Sequence, residues 1–127
     1  MSENCTFPEY FPNCCPDDKA IDAKDTVFRI IKAEKMTDDD LLSHYELGTA
    51  VKADQCARCG ISVYDSFQGA MHRQRLSPYL GKFIADGVLN PSSGKTSLPH
   101  KISRHMEWWA YSNVNRRILF GSVKPCT

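Results

Sequence analysis

The sequence predicts an α+β domain: a mostly antiparallel, twisted sheet of about five strands with two short helices. Three observations predict it. β-Rich runs of about four to eight residues recur along the chain, bounded by Gly, Pro, Asn, Asp or Ser. Only two stretches carry both a helix cap and a helix stop. The later strands follow one another across short loops, which favours antiparallel pairing.

Residues 1–25 read as an extended leader packed on a single α+β domain that occupies 26–127. Pro8, Pro12 and Pro16 exclude a regular helix there, and Phe7, Tyr10 and Phe11 give the leader rings with which to fill surface grooves. The first strand runs from Thr26 to Lys32, with Val27, Arg29 and Ile31 on one side and Phe28 and Ile30 on the other. Thr37 then caps a helix from Asp38 to Leu47, whose three leading acids complement the helix dipole and which Gly48 stops. Ile61 to Tyr64 is the second strand. Asp65 or Ser66 caps a helix over 67–76, ended by Ser77-Pro78. Lys82 to Leu89 is the third strand, bulged or bent at Gly87. Residues 90–99, with Pro91, Gly94 and Pro99, form a loop. Residues 101–111 are the fourth strand, Asn113 to Asn115 a turn, and Ile118 to Val123 the last strand.

A chain of 127 residues suits one domain and buries roughly two-thirds of its unfolded surface. At 42% hydrophobic and 24% charged, the composition excludes the disordered and membrane classes. No apolar run approaches the ~20 residues of a membrane span. The N-terminus lacks the basic and apolar regions of a secretory signal, so a cytoplasmic location with free thiols is expected.

Cys56-Ala57-Arg58-Cys59-Gly60 is the sharpest local motif. Two thiolates at this spacing can share a zinc ion, form a redox pair, or be ordinary structural thiols. Zinc needs two more ligands. His72 stands where the first histidine of a zinc finger would, but Leu76, Ser77 and Pro78 occupy the place of the second. Cys5, Cys14, Cys15 or Cys126 would then have to complete the site. A redox motif of the thioredoxin kind sits between a strand and a helix, whereas this one precedes a strand.

The second constellation is His100 to Tyr111, followed by Arg116 and Arg117. Strand alternation puts His105, Glu107 and Trp109 on one face, and Arg104, Met106 and Trp108 on the other. Trp109 shares its parity with Tyr111 and is expected in the core; Trp108 is expected at a contact surface. Trp and Arg are typical interface anchors. Arginines mixed with aromatics also suit single-stranded nucleic acid. His105 beside Glu107 is a candidate acid–base pair.

Arg29 is the third feature, because an arginine among Val27, Phe28, Ile30 and Ile31 either faces solvent or lines a cleft. Val27-Phe28-Arg29 in an opening strand, Ser62-Val63-Tyr64-Asp65-Ser66-Phe67 leading into a helix, and Phe83-Ile84-Ala85 together resemble the small ADP-ribosyltransferase folds. The resemblance covers about 60 residues. It implies that Arg29 and Ser62 hold the dinucleotide of NAD, that Tyr64 stacks on nicotinamide, and that Glu107 is the catalytic acid. The chain departs from the family in setting Glu107 beside two tryptophans. Ser92-Ser93-Gly94-Lys95-Thr96 lacks the upstream glycine of a phosphate-binding loop.

The leading expectation is a small binding or regulatory domain that touches a protein partner through Arg104, His105, Trp108, Trp109, Arg116 and Arg117, with zinc at Cys56 and Cys59 as the metal expectation. The alternative is an ADP-ribosyltransferase-like enzyme using NAD at Arg29, Ser62, Tyr64 and Glu107. A net charge of +1 supports nucleic acid least, and no membrane partner is expected.

Overall fold

A computed structural model describes residues 6–126 of the chain. Its strands are β1 (Ile21–Asp22), β2 (Asp25–Ile31), β3 (Ile61–Tyr64), β4 (Phe83–Leu89), β5 (Gly94–Thr96), β6 (His105–Ala110) and β7 (Phe120–Pro125). They form one sheet in the order β1-β5-β6-β3-β2-β4-β7. Every pairing between neighbours is antiparallel. The helices are α1 (His44–Leu47), α2 (Gln55–Arg58) and α3 (Phe67–Leu76), joined by several 3-10 turns. The α+β class and the antiparallel sheet agree with the sequence. Among the described residues the sheet has seven strands instead of about five, and there are three α-helices instead of two.

The additional elements come from segments read as irregular. β1 lies inside the leader, and β5 inside the 90–99 loop; the two pair with each other at the sheet edge through Ile21 and Thr96. The helix expected over 38–47 divides. A 3-10 turn spans Asp38–Leu41, and Ser43 then starts α1 with its own capping box, its hydroxyl accepting from the Glu46 amide. Gly48 closes α1 in the left-handed conformation, at φ 74°. Two capped starts within six residues make two short turns of helix more favourable than one long one. α3 matches its expected bounds, capped by the Ser66 hydroxyl on the Gly69 amide.

Alternation gives the sheet two buried faces. Val27, Ile61, Val63, Met106 and Trp108 make the larger core, backed by Val114, Leu119 and Phe120 from the chain after β6. On the other face Tyr64, Ala70 and Ile84 pack with Phe28, Ile30, Phe67 and Met71 beneath α3. Gly87 makes room for the ring of Phe120: a Cβ there would lie 2.8 Å from it. The β4–β7 register shifts at that point, as the sequence suggested.

Trp108 and Trp109 do point to opposite faces, and Trp109 is buried as expected, but Trp108, expected at a contact surface, is buried more deeply still. Trp108 is fully buried in the larger core, its indole donating to the Ser93 carbonyl at 3.2 Å. Trp109 is only 8% exposed, covered by α2, whose Cys56 carbonyl accepts from its indole at 2.9 Å. Trp108 is not left for a partner, and Trp109 shows only an edge to its surroundings. Tyr111, whose parity suggested Trp109 for the core, lies beyond the end of β6 and meets Phe7 at 4.8 Å between ring centroids.

Residues 6–16 cross the body on aromatic contacts. Phe7 stacks on Phe11 at 5.3 Å, and Tyr10 on Tyr45 at 4.3 Å. This path brings Cys15 to Cys56, and the two form a disulfide that spans 41 residues. The expectation of a reduced Cys56–Cys59 pair sharing zinc is therefore corrected: Cys56 is bonded to the leader, and Cys59 is a buried free thiol. No group of three or more metal-ligating side chains occurs among the described residues; Cys5 lies outside them. The disulfide departs from the free thiols expected of all the cysteines, while Cys14, Cys59 and Cys126 remain free. No helix of the described residues is long and apolar enough to cross a membrane.

Candidate functional site

β2 and β3 share one paired position, Phe28 opposite Tyr64. Where the two strands part, the side chain of Arg29 replaces the missing ladder. Its Nε donates to the Asp40 carbonyl at 2.6 Å, and its Nη1 to the Ser62 carbonyl at 2.7 Å. Asp40 is presented by the 3-10 turn that Thr37 caps. Arg29 lines a cleft, and its charge is largely desolvated. Burial lowers its pKa, and the charges of Asp40, Glu107 and Tyr64 oppose that shift. Arginine stays charged even so.

The β3–β6 register sets Ser62 beside Glu107 and Tyr64 beside His105. Alternation turns all four side chains toward the α3 side of the sheet. Ser62 Oγ lies 3.0 Å from His105 Nε2, and the Tyr64 and His105 rings meet edge to face at 5.4 Å. Glu107 Oε2 is 3.8 Å from the same His105 nitrogen. Its Oε1 is buried without a hydrogen-bond partner among the described residues. Gly60 makes this geometry possible, since a Cβ there would lie 2.7 Å from that oxygen.

Burial pushes the Glu107 carboxyl up to about 7 against the pull of Arg29. Burial also lowers the His105 pKa, assisted by Arg73 and His100. Both shifts favour the neutral forms, a protonated carboxyl for Glu107 and an uncharged imidazole for His105. A nucleophile relay of the serine-hydrolase kind needs the serine and the acid on different imidazole nitrogens. Here both face Nε2, which excludes that role for the trio as it stands.

The cleft has a volume of about 590 Å3, within the range of small-molecule sites. Arg29, Ile30, Ser62, Tyr64 and His105 form its floor; Gly69, His72, Arg73 and Leu76 of α3 form one wall; Ile102 and Ser103 of the turn before β6 form another. Gly69 lets that turn approach α3, for a Cβ would sit 2.8 Å from the Ser103 carbonyl oxygen. Arg104, at φ 64°, anchors the turn through a forked pair with Asp65, Nε to Oδ1 2.9 Å. Among the described residues, no aspartate or glutamate lines the cleft.

The structure thus brings Arg29, Ser62, Tyr64 and His105 onto one cleft. Glu107 lies behind Ser62 and His105 and is not part of the wall. The other expected binding residues do not join them. Trp108 is core, and Trp109 edges a second cleft of about 390 Å3 beside Cys56 and Leu98. The basic groups that would favour nucleic acid are paired with carboxylates: Arg104 with Asp65, Arg116 with Glu46 at 2.7 Å, and Arg117 approaches Asp38 at 3.9 Å. Sequence reasoning missed His44, Arg73 and Ile102, and weighed His72 only as a metal ligand. For α3 a signal was present, because a helix that directly follows β3 must lie over one face of it, and its last turn is basic.

No protein-family model matches the chain, and no curated protein or solved structure matches it.

Proposed function

We propose that the chain is a nucleotide-handling enzyme of the ADP-ribosyltransferase type, with NAD as its substrate in the Arg29–Ser62 cleft. One observation carries this reading. Arg29, Ser62 and Tyr64, singled out by a resemblance in separate parts of the sequence, lie on one cleft free of carboxylates, and Glu107 stands directly behind Ser62. Such a wall suits an anionic ligand. Arg29 keeps Nη2 beyond the two bonds that fix it. Tyr64 offers an aromatic edge to a planar base. Glu107, poised near neutral pH, suits a general base. In the reaction the bond between nicotinamide and ribose breaks and nicotinamide leaves with the electron pair. The acceptor, water or a protein side chain, bonds to the ribose carbon and yields its proton through His105, which lines the cleft, to Glu107, 3.8 Å from the imidazole.

The protein-partner reading moves to the rim of the cleft, where Leu76 and Ile102 are 65% and 87% exposed. An enzyme that modifies a protein would meet its acceptor there. The test is nicotinamide release from NAD, followed by chromatography, for the full chain and for Glu107→Gln and Ser62→Ala. Release by the wild type and a loss of about 100-fold or more in Glu107→Gln are expected. A folded wild type that neither binds NAD at ~1 mM, the upper range of enzyme substrates, nor releases nicotinamide would overturn the proposal.

A further inference from the structure

Two arginines share the cleft and differ in what already holds them. Arg29 has Nε and Nη1 committed to backbone carbonyls. Arg73, in the last turn of α3, lines the same cleft, is exposed, and forms no ion pair among the described residues. By contrast, Lys95, Arg104, Arg116 and Arg117 each have a carboxylate within 4.0 Å.

No carboxylate among the described residues lies within 4.0 Å of Arg73, and the two acids nearest the cleft are otherwise engaged, Asp65 with Arg104 and Glu107 against His105. From Ser66 to Met106 the sequence holds six lysines and arginines and a single carboxylate, Asp86. Asp86 is on β4 and is occupied by the Ser122 hydroxyl and amide of β7. Arg73 also acts on the floor of the cleft. Burial raises the Tyr64 phenol and Arg73 opposes it, and Arg73 adds to the burial that lowers the His105 imidazole. An unpaired guanidinium over a cleft without carboxylates is arranged to take an anion. Its planar fork matches phosphate oxygens in particular. Ile30, Leu76, Leu80 and Ile102 supply the apolar surface that a nucleoside would need beside it.

We propose that Arg73 is the phosphate-binding residue of this cleft, taking the diphosphate of a nucleotide whose nucleoside part lies against the apolar wall. The inference rests on the reading of the cleft as a nucleotide site and adds the residue that selects phosphorylated ligands. It is tested by calorimetric titration of the full chain with ADP and with adenosine. The variants are Arg73→Ala, Arg73→Gln and, as a control on the same helical turn but outside the cleft, Arg75→Ala. Each variant is first matched to the wild type by circular dichroism. Loss of a charge-assisted pair is expected to weaken ADP binding by about tenfold or more in both Arg73 variants and to leave adenosine unchanged. Arg75→Ala should change neither by more than about threefold. Equal weakening by the Arg73 and Arg75 variants would reduce the effect to general charge and overturn the assignment, as would unchanged ADP affinity in the Arg73 variants. A wild type that binds neither probe would instead overturn the nucleotide reading itself.

Discussion

Replacing Glu107 by glutamine should stabilise the protein at alkaline pH and leave it unchanged in acid. The carboxyl has a folded-state pKa of about 7 against an ordinary value of 4.5, because it is buried with Oε1 unpartnered. Below 4.5 it is protonated folded and unfolded, and it contributes no pH dependence. Between 4.5 and 7 the unfolded chain releases the proton and the folded chain keeps it, so unfolding stability falls as pH rises. Above 7 the folded chain carries the full cost of a buried carboxylate. At ~1.4 kcal/mol per pH unit, the displacement from 4.5 to about 7 amounts to ~3 kcal/mol. That is about 10 °C in melting temperature for a domain of this size. Glutamine keeps the shape and cannot ionise. The assay is urea unfolding of wild type and Glu107→Gln at pH 4.5 and pH 8.5. The variant should gain up to ~3 kcal/mol relative to wild type between the two pH values. A difference that does not depend on pH would refute the claim that Glu107 is held neutral by burial.

Other outcomes follow from the same geometry. Replacing Cys15 and Cys56 together by serine should cost ~3–4 kcal/mol by the chain-entropy relation for a crosslink spanning 41 residues, read as a lower urea midpoint. Trp108→Ala should cost ~3–5 kcal/mol, as expected of a fully buried large ring, and acrylamide should quench neither tryptophan of the wild type efficiently. Gly69→Ala should cost ~1–3 kcal/mol, because its Cβ would meet the Ser103 backbone 2.8 Å away; a melting curve equal to that of the wild type would show that the turn before β6 yields freely.

Local chemistry made much of this fold legible. β3, α3 and the bend at Gly87 were readable because a β-rich run, a serine cap and a mid-strand glycine act on their own neighbours. β5 was not, since Gly94-Lys95-Thr96 has no strand signature and becomes one only between β1 and β6. The Cys15–Cys56 bond was hidden for the same reason: nothing local joins residues 41 apart, whereas the CxxC spacing suggests a partner three residues away. Alternation correctly separated Trp108 from Trp109 but could not tell which face was the larger core, because the chain after β6 covers one face and α2 the other side of Trp109. At the site, Arg29 stood out as a charge in an apolar strand. Arg73 did not, since a basic last turn of a helix is commonplace until the cleft beneath it is known.

The account rests on the cleft between β2, β3, β6 and α3 being a nucleotide site, and amide chemical shifts of the 15N-labelled chain during titration with NAD test it most directly. Shifts are expected to move at Phe28 to Ile30, Ser62 to Tyr64, along α3 from Gly69 to Leu76, and at Ile102 to His105, saturating below ~1 mM NAD. Spectra that stay unchanged at that concentration, or shifts confined to Ala57, Ser97 and Trp109 around the second cleft, would contradict it.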